Sequence, residues 1–198
     1  MGRLFSSFEE AWAAFLVREE PLEDFFGRFP TEEAFLTVWL APPAAAAAEE
    51  ALAVQRLLAG VAGLRATPLH WLHVSLGHGQ PEALDAVRER VGGFGPFEAD
   101  YGPISCFHEA LVLEAHSERF ADVAEAVDPT RDLTTFLPHL SIAYVAGAPA
   151  ATPIRERLAP LRDRPPVRDV VSEIRLCVIP VARDRLLTPW QVAGVVRL

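Results

Sequence analysis

The sequence predicts an α+β fold with two pseudo-symmetric lobes, each a sheet with helices, around a central cleft and preceded by a helical N-terminal extension. Between residues 31 and 198, segments with strand and helix periodicity follow the order strand, helix, strand, helix, strand, and this order occurs twice. The first thirty residues instead show helical spacing interrupted by prolines. We therefore expect residues 1–30 to form the extension and residues 31–198 a single bilobal domain.

The extension begins with a helix start signal. Ser7 is a favourable N-cap residue, and Glu10 follows three positions later, as in a capping box. Apolar side chains then recur at helical spacing: Phe8, Ala11, Trp12 and Phe15. A second short helix is expected between Pro21 and Pro30. Nothing in this segment suggests chemistry, so we expect it to pack as a cover on the domain.

The first repeat of the pattern runs from residue 35 to Cys106. An apolar run at residues 35–40 predicts a strand, and the alanine-rich helix after it has one apolar face formed by Val54, Leu57, Leu58 and Val61. Residues 71–77 predict a second strand. A helix after Pro81 and a glycine-rich loop then lead to an extended segment that ends near Cys106.

The second repeat has the same order of elements. Residues 110–115 predict a strand, and Ser117 caps the next helix. After a loop rich in Thr and Asp, residues 139–145 form the second strand pattern, and a helix follows. Residues 170–179 alternate between apolar and other side chains, and residues 190–198 predict a final strand.

Composition excludes several classes of protein. The formal charge of −9 repels phosphate backbones, so a broad surface for duplex nucleic acid is not expected. All 18 basic residues are arginine, which excludes a lysyl-adenylate ligase, a lysine Schiff-base enzyme and the usual P-loop, because each needs the lysine amine.

Cysteine usage and hydropathy indicate the compartment. Cys106 and Cys177 lie in apolar, strand-like stretches and are expected to be reduced and buried, since two cysteines give no disulfide framework. The N-terminus has no signal-peptide pattern, and no apolar run reaches the roughly 20 residues that a membrane span needs. We expect a soluble, cytoplasmic protein, monomeric and without a membrane partner.

Two predicted strands share one short pattern. The first reads Leu72-His73-Val74-Ser75-Leu76-Gly77 and the second Pro138-His139-Leu140-Ser141-Ile142-Ala143. Because alternate strand residues point to the same face, each histidine should project together with its serine, while the apolar residues between them face the core. The same alternation would place Gly77 and Ala143 on the histidine face, where small side chains leave space. Two such strands facing one cleft would present two imidazoles and two hydroxyls to one volume.

This set of groups suits phosphodiester chemistry without a metal or other cofactor. A neutral imidazole can take a proton from water or a ribose hydroxyl, and an imidazolium can protonate the leaving oxygen. Hydroxyls can donate hydrogen bonds to the non-bridging oxygens as charge builds there. Both protonation states are accessible near neutral pH, because histidine titrates near pH 6.5.

The paired pattern resembles the 2H phosphoesterase superfamily, which includes LigT-like 2′-5′ RNA ligases and cyclic phosphodiesterases. The ending from Arg183-Asp184-Arg185 through Thr188-Pro189-Trp190 is also similar to bacterial members of that family, and the likeness covers about residues 34–198. It implies action on 2′,3′-cyclic or 2′,5′-linked phosphates of RNA ends or small nucleotides, with hydrolysis as the expected direction. His73 and His139 would be the acid and base, and Ser75 and Ser141 the phosphate-binding hydroxyls. Both serines replace a more usual threonine.

Three further residues are candidates for the pocket rim. His78 and Tyr144 each lie five residues after a motif histidine, near a strand end, although strict alternation points them away from the site. Many LigT members have arginine at the position of Tyr144. The resemblance therefore does not determine which substrate this protein takes. Arg131, in the loop before the second motif, could reach a substrate phosphate.

Other polar and aromatic residues have simpler interpretations. Cys106, His108 and His116 match no zinc spacing. Trp39 and Trp71 could stack a nucleobase, although large aromatics on strands usually belong to the core. His70 would need a bulge to share the site with His73.

Two other classes of protein remain open from the sequence. One is a catalytically weak module that binds a nucleotide or RNA end in the same cleft. The other is a protein-interaction domain that binds its partner through the N-terminal helices.

Overall fold

The computed structural model describes residues 5–198, so the first four residues of the predicted extension lie outside the described part. The helices are α1 (Phe8–Leu16), α2 (Ala45–Leu57), α3 (Leu84–Val91), α4 (Arg119–Val127) and α5 (Ala151–Leu158). The strands are β1 (Phe35–Ala41), β2 (Leu64–Ala66), β3 (Val74–His78), β4 (Phe97–Cys106), β5 (Ala110–His116), β6 (His139–Val145), β7 (Val167–Val171), β8 (Glu173–Pro180) and β9 (Gln191–Arg197). The predicted α+β class with an N-terminal helix is confirmed.

The strands form one antiparallel sheet whose two halves meet at its centre. The order is β7-β4-β5-β6-β3-β1-β8-β9, and β2 pairs with the outer part of β6. A single residue pair, Val74 with Leu140, joins β3 to β6 and thereby the two halves. The sheet therefore has the two-lobed form that the repeated element order predicts.

Each lobe of the sheet draws strands from both sequence repeats. Strand β4 ends the first repeat and pairs with β5, the first strand of the second repeat. Strand β8 belongs to the second repeat and pairs with β1, the first strand of the first. The β3–β6 seam thus relates β1 to β5, β8 to β4 and β9 to β7.

Apolar side chains cover both faces of the sheet. The main core lies between one face and helices α2–α5, and it includes Trp39, Val74, Leu76, Leu140 and Ile142, none of them accessible to solvent. A second cluster lies on the opposite face and contains Phe8, Phe26, Val38, Leu40, Trp71, Val112, Tyr144 and Cys177. The motif histidines and serines project from this second face, since Val74 and Leu140 point into the main core.

The N-terminal helix begins as the sequence predicts. The Ser7 hydroxyl accepts a hydrogen bond from the backbone N–H of Glu10 at 3.1 Å. At the other end, the Arg155 guanidinium donates to the carbonyls of Phe15, Leu16 and Arg18, where a cation favours the helix dipole. The domain boundary at residue 30 stays a prediction.

Several element boundaries differ from the sequence prediction. Only a single 3-10 turn, Phe26–Arg28, forms between Pro21 and Pro30. Helix α2 ends at Leu57, before Val61. The alternating segment 170–179 is two strands separated at Ser172, and these strands pair at distant positions, β7 with β4 and β8 with β1. Alternation alone does not reveal such a change of partner.

Both cysteines are buried and neither forms a disulfide, as expected. Burial raises the pKa of the Cys177 thiol to about 11 and the pKa of Cys106 well above its ordinary value. Within residues 5–198, no helix has the length and apolar character needed to cross a membrane.

Candidate active site

The two His-x-Ser motifs meet at the seam between β3 and β6. The pair Val74–Leu140 is antiparallel, and this register places His73 across from Ser141 and Ser75 across from His139. His73 and His139 are thereby diagonal neighbours, which lie about 7–8 Å apart across two strands, within reach of long side chains. The two imidazoles can therefore approach opposite sides of one small anion.

Each imidazole is oriented by the same local hydrogen bond. His73 Nδ1 lies 2.6 Å from the carbonyl oxygen of Trp71, and His139 Nδ1 lies 2.7 Å from that of Leu137. A carbonyl oxygen only accepts, so Nδ1 carries the proton in both rings. Nε2 of each neutral ring is left as a proton acceptor, which is the state that a general base requires.

The two serines have different surroundings. The exposed Ser75 hydroxyl lies 3.0 Å from His73 Nε2 and donates to it, since that nitrogen carries no proton. Ser141 is buried, and its side chain favours the ionised form of Tyr144, which opposes the rise in the pKa of that phenol. Burial raises the pKa of Tyr144 to about 12, so its phenol stays protonated and available as a donor.

A bulge in each motif strand corrects the predicted orientation of the rim residues. The β5–β6 register skips Ile142, and the β1–β3 register skips Leu76. An extra residue reverses the alternation beyond it, so Tyr144 and His78 lie on the histidine face rather than facing away. Tyr144 packs in the second cluster beside Trp71, and their ring centroids are 6.0 Å apart.

The same bulges move the small residues to the helix side, contrary to the sequence prediction. Ala143 belongs to the main core. A Cβ on Gly77 would lie 2.5 Å from Asp128 Cβ, so Gly77 permits the close approach of the end of α4. The Asp128 carboxylate accepts the backbone N–H of His78 at 2.9 Å. The small side chains serve packing between sheet and helix.

Two guanidinium groups flank the imidazole pair. The Arg131 charge adds to burial in lowering the pKa of His139, and the rim position of Arg131 stays a prediction. Arg175, which no sequence motif marks, lines a small hollow with His73 and is paired with Glu173 at 2.6 Å. The residue alternation on β8 already places Arg175 on a polar face, but only the β1–β8 pairing brings it to the site.

An aromatic ring lies edge-on to each imidazole. Trp190 lies 5.1 Å from His73 between ring centroids, and Phe107 lies 4.9 Å from His139. Trp190 also stacks on Trp71 at 4.9 Å, and its indole N–H donates to the His70 carbonyl. Trp39 is fully buried in the main core and cannot stack a ligand.

The remaining sequence candidates do not form a metal site. His116 hydrogen-bonds with Glu114 at 3.0 Å, while His108 contacts Arg18. Across the described residues, no group of three or more His, Cys, Asp or Glu side chains is placed to hold a metal ion. His70 lines the hollow beside His73.

Burial governs the protonation of the site. Burial, helped by the nearby His139, lowers the pKa of His73 to about 4, although the hydrogen bond to Trp71 opposes the shift. Burial likewise lowers the pKa of His139. Both rings are therefore neutral at pH 7, and an anion bound between them would favour protonation of one.

This protonation pattern predicts how stability depends on pH. Unfolded histidine titrates near pH 6.5, whereas folded His73 stays neutral until about pH 4, so the unfolded chain binds more protons between these values. The free energy of unfolding should fall as pH drops from about 6.5 to 4. Urea unfolding at a series of pH values should show a shallower fall for His73→Gln than for the wild type. Equal slopes would contradict the burial of this imidazole.

Comparison with solved structures identifies the fold. E. coli LigT complexed with 3′-AMP superimposes with a TM-score of 0.55 at 18% identity, covering 84% of this chain and 99% of that one. TT0787 of Thermus thermophilus gives 0.54 at 18% identity over 82% and 97%. A protein of unknown function from Agrobacterium tumefaciens gives 0.50 at 14% identity over 92% and 98%. The architecture is that of LigT-like phosphoesterases.

A family model assigns the chain more directly. The model of the 2′-5′ RNA ligase superfamily matches residues 42–181, which is more than half of the 198 residues. The protein belongs to the 2′-5′ RNA ligase superfamily. No curated protein sequence matches the chain.

Proposed function

We propose that the protein is a metal-independent phosphoesterase that opens 2′,3′-cyclic phosphates, or cleaves 2′,5′-phosphodiesters, of RNA ends or small nucleotides. The observation that carries this proposal is the twinned imidazole geometry. Both rings donate Nδ1–H to the carbonyl two residues earlier, and both lie on one face at the β3–β6 seam. E. coli LigT, which shares the fold, has been crystallised with 3′-AMP and with phosphate.

The reaction of a cyclic phosphate follows from two proton transfers. The neutral Nε2 of one imidazole takes a proton from water as the water oxygen bonds to phosphorus. The bond from phosphorus to one ribose oxygen breaks, and the imidazolium at the other site protonates that oxygen. The product is a phosphomonoester beside a free hydroxyl. His73 and His139 end with their protonation states exchanged, so before the next turnover one ring must release a proton to solvent and the other must take one up.

The other site groups act on the phosphate oxygens. In this proposal the Ser75 and Ser141 hydroxyls donate to the non-bridging oxygens as negative charge builds on them, and Ser75 releases its hydrogen bond to His73 when the substrate binds. Arg131 and Arg175 add positive charge beside the pair, which favours binding of an anion. The same charge opposes protonation of the imidazoles, so the bound anion has to favour the imidazolium.

The direct test is incubation with each of the four nucleoside 2′,3′-cyclic phosphates in the presence of EDTA, followed by phosphorus NMR. We expect the cyclic phosphate resonance to disappear and a single 2′- or 3′-monoester resonance to appear. Loss of the activity in EDTA would contradict the metal-independent mechanism. A parallel reaction with a 2′,5′-linked dinucleotide tests the second substrate class.

A second candidate is a nucleotide-binding module without useful catalysis. It is favoured by the lowered pKa of both imidazoles, because the free site then lacks an imidazolium at neutral pH. This candidate predicts saturable nucleotide binding by calorimetry with no turnover. The phosphoesterase predicts turnover with a bell-shaped pH dependence.

A further inference from the structure

The site along the β3–β6 seam, here called the cleft, has two unequal ends, although the two motif strands share one pattern. Tyr144 and His78 occupy equivalent positions beyond the bulges, on the same face of the sheet. Tyr144 is only 6% exposed, because Phe25 stacks on its ring with centroids 4.0 Å apart. His78 is exposed. One end of the cleft is therefore covered and the other is open.

The covered end is closed by residues 22–30, here named the cover segment. Its backbone is fixed to the β5–β6 half of the sheet: Leu22 donates to the Pro149 carbonyl, Glu23 to that of His108 and Phe25 to that of Val145, all at 2.9–3.0 Å. An ion pair between Arg28 and Glu109 adds to these contacts. Backbone hydrogen bonds of this kind define one position for the segment.

The cover segment is also held by the other half of the sheet. The Arg183 guanidinium donates to the Gly27 carbonyl at 3.0 Å, and the backbone N–H of Arg183 donates to the Pro30 carbonyl at 2.9 Å. Arg183 belongs to the loop 181–190, which carries Trp190 against His73. Contacts from both lobes therefore bridge the cleft at this end.

Both closing elements lie outside the residues that the family model matches. The superfamily match spans residues 42–181, whereas the cover segment precedes it and Arg183 and Trp190 follow it. The closed end is thus built from parts of this chain that the family model does not describe.

We infer that the closed end selects phosphates with a nucleotide on one side only, namely terminal 2′,3′-cyclic phosphates, and excludes linkages inside a longer chain. This inference rests on the proposed function and narrows its substrate class. An internal 2′,5′-diester carries a chain on both sides of phosphorus, so it needs both ends of the cleft open. A cyclic phosphate carries one nucleoside, whose chain can leave through the open end past His78.

The open end has groups suited to that chain. Asp128 holds the His78 backbone, and Arg131 follows three residues later in the same loop, with its charge close enough to act on His139. A guanidinium beside the exit can pair with the next phosphate of an RNA end.

The test compares three probes: cytidine 2′,3′-cyclic phosphate, a hexanucleotide RNA ending in a 2′,3′-cyclic phosphate, and a hexanucleotide with one central 2′,5′ linkage. We expect the wild type to process both cyclic probes with kcat/KM values within about tenfold of each other, and the central linkage at least about 100-fold more slowly. Similar rates for terminal and central linkages would overturn the closed-end inference alone. No turnover of any probe would instead overturn the proposed function.

Two variants open the covered end. Phe25→Ala removes the ring on Tyr144, and Arg183→Ala removes the side-chain bond to Gly27. Each should raise kcat/KM for the central linkage by about tenfold or more, while that for the cyclic mononucleotide changes by less than about threefold. Arg183→Ala removes no core side chain, so it gives a result even if Phe25→Ala does not fold.

A matched control is Phe35→Ala, which removes an exposed ring on the opposite face of β1. It should leave the preference among the three probes unchanged. Variants of the cover segment that fold, as judged by thermal unfolding, yet keep the wild-type preference would also overturn the inference.

Discussion

Replacing either motif histidine by alanine is expected to lower kcat for a 2′,3′-cyclic nucleotide by about 10²- to 10⁴-fold, because in the proposed mechanism each imidazole performs one of the two proton transfers. The measurement is the initial rate at saturating substrate, with folding checked by circular dichroism. The double variant of His73 and His139 should be little worse than the poorer single variant, since the two groups act in one step.

The control for this prediction is His116→Ala. His116 is half-exposed at the end of β5, where it hydrogen-bonds with Glu114 rather than with a site residue. Its loss should leave turnover near the wild-type rate. Near-wild-type rates for both motif variants would show that the proton transfers are made elsewhere.

The largest expected effect on stability comes from a buried ion pair beside the site, on the strand next to His139. Glu114 is paired with Arg162, and its side chain is only 2% exposed. Arg162 also donates to the Ile104 carbonyl and lies over the Trp12 ring. Arg162→Ala would leave a buried carboxylate without its cation, and we expect a loss of about 3–5 kcal/mol in the free energy of unfolding.

Urea unfolding of the variants measures this effect. Arg168→Ala, which breaks an exposed pair with Asp100, is the matched control and should cost much less. The double variant Glu114→Gln/Arg162→Met should recover much of the loss, because no unpaired charge remains. If Arg162→Ala changes the free energy of unfolding only slightly, Glu114 does not remain an unpaired buried charge in the variant but is solvated or protonated.

The parts of the fold that follow from local periodicity were predictable. Helical spacing and the Ser7 cap predict α1, and the His-x-Ser alternation places each motif pair on one face. Strict alternation along the strands did not predict the orientation of Tyr144 and His78. The bulges at Leu76 and Ile142 depend on the register with neighbouring strands.

Residues that reach the site through contacts between distant parts of the chain could not be predicted from the sequence pattern either. Arg175 reaches His73 through the β1–β8 pairing, and Trp190 reaches it from the C-terminal loop. Phe25 covers Tyr144 across more than a hundred residues of chain. No local periodicity encodes such contacts, since they follow from the order in which strands assemble.

The exchange of β4 and β8 between the lobes has a consequence for folding. A fragment ending at Cys106 would keep β1 and β3 but lack β8, while β4 would have neither β5 nor β7 beside it. Each sequence repeat would thus expose unpaired strand edges on its own, and only both together complete either lobe. The two halves of this chain are mutually dependent, and the candidate site forms only once nearly the whole polypeptide has been assembled around it.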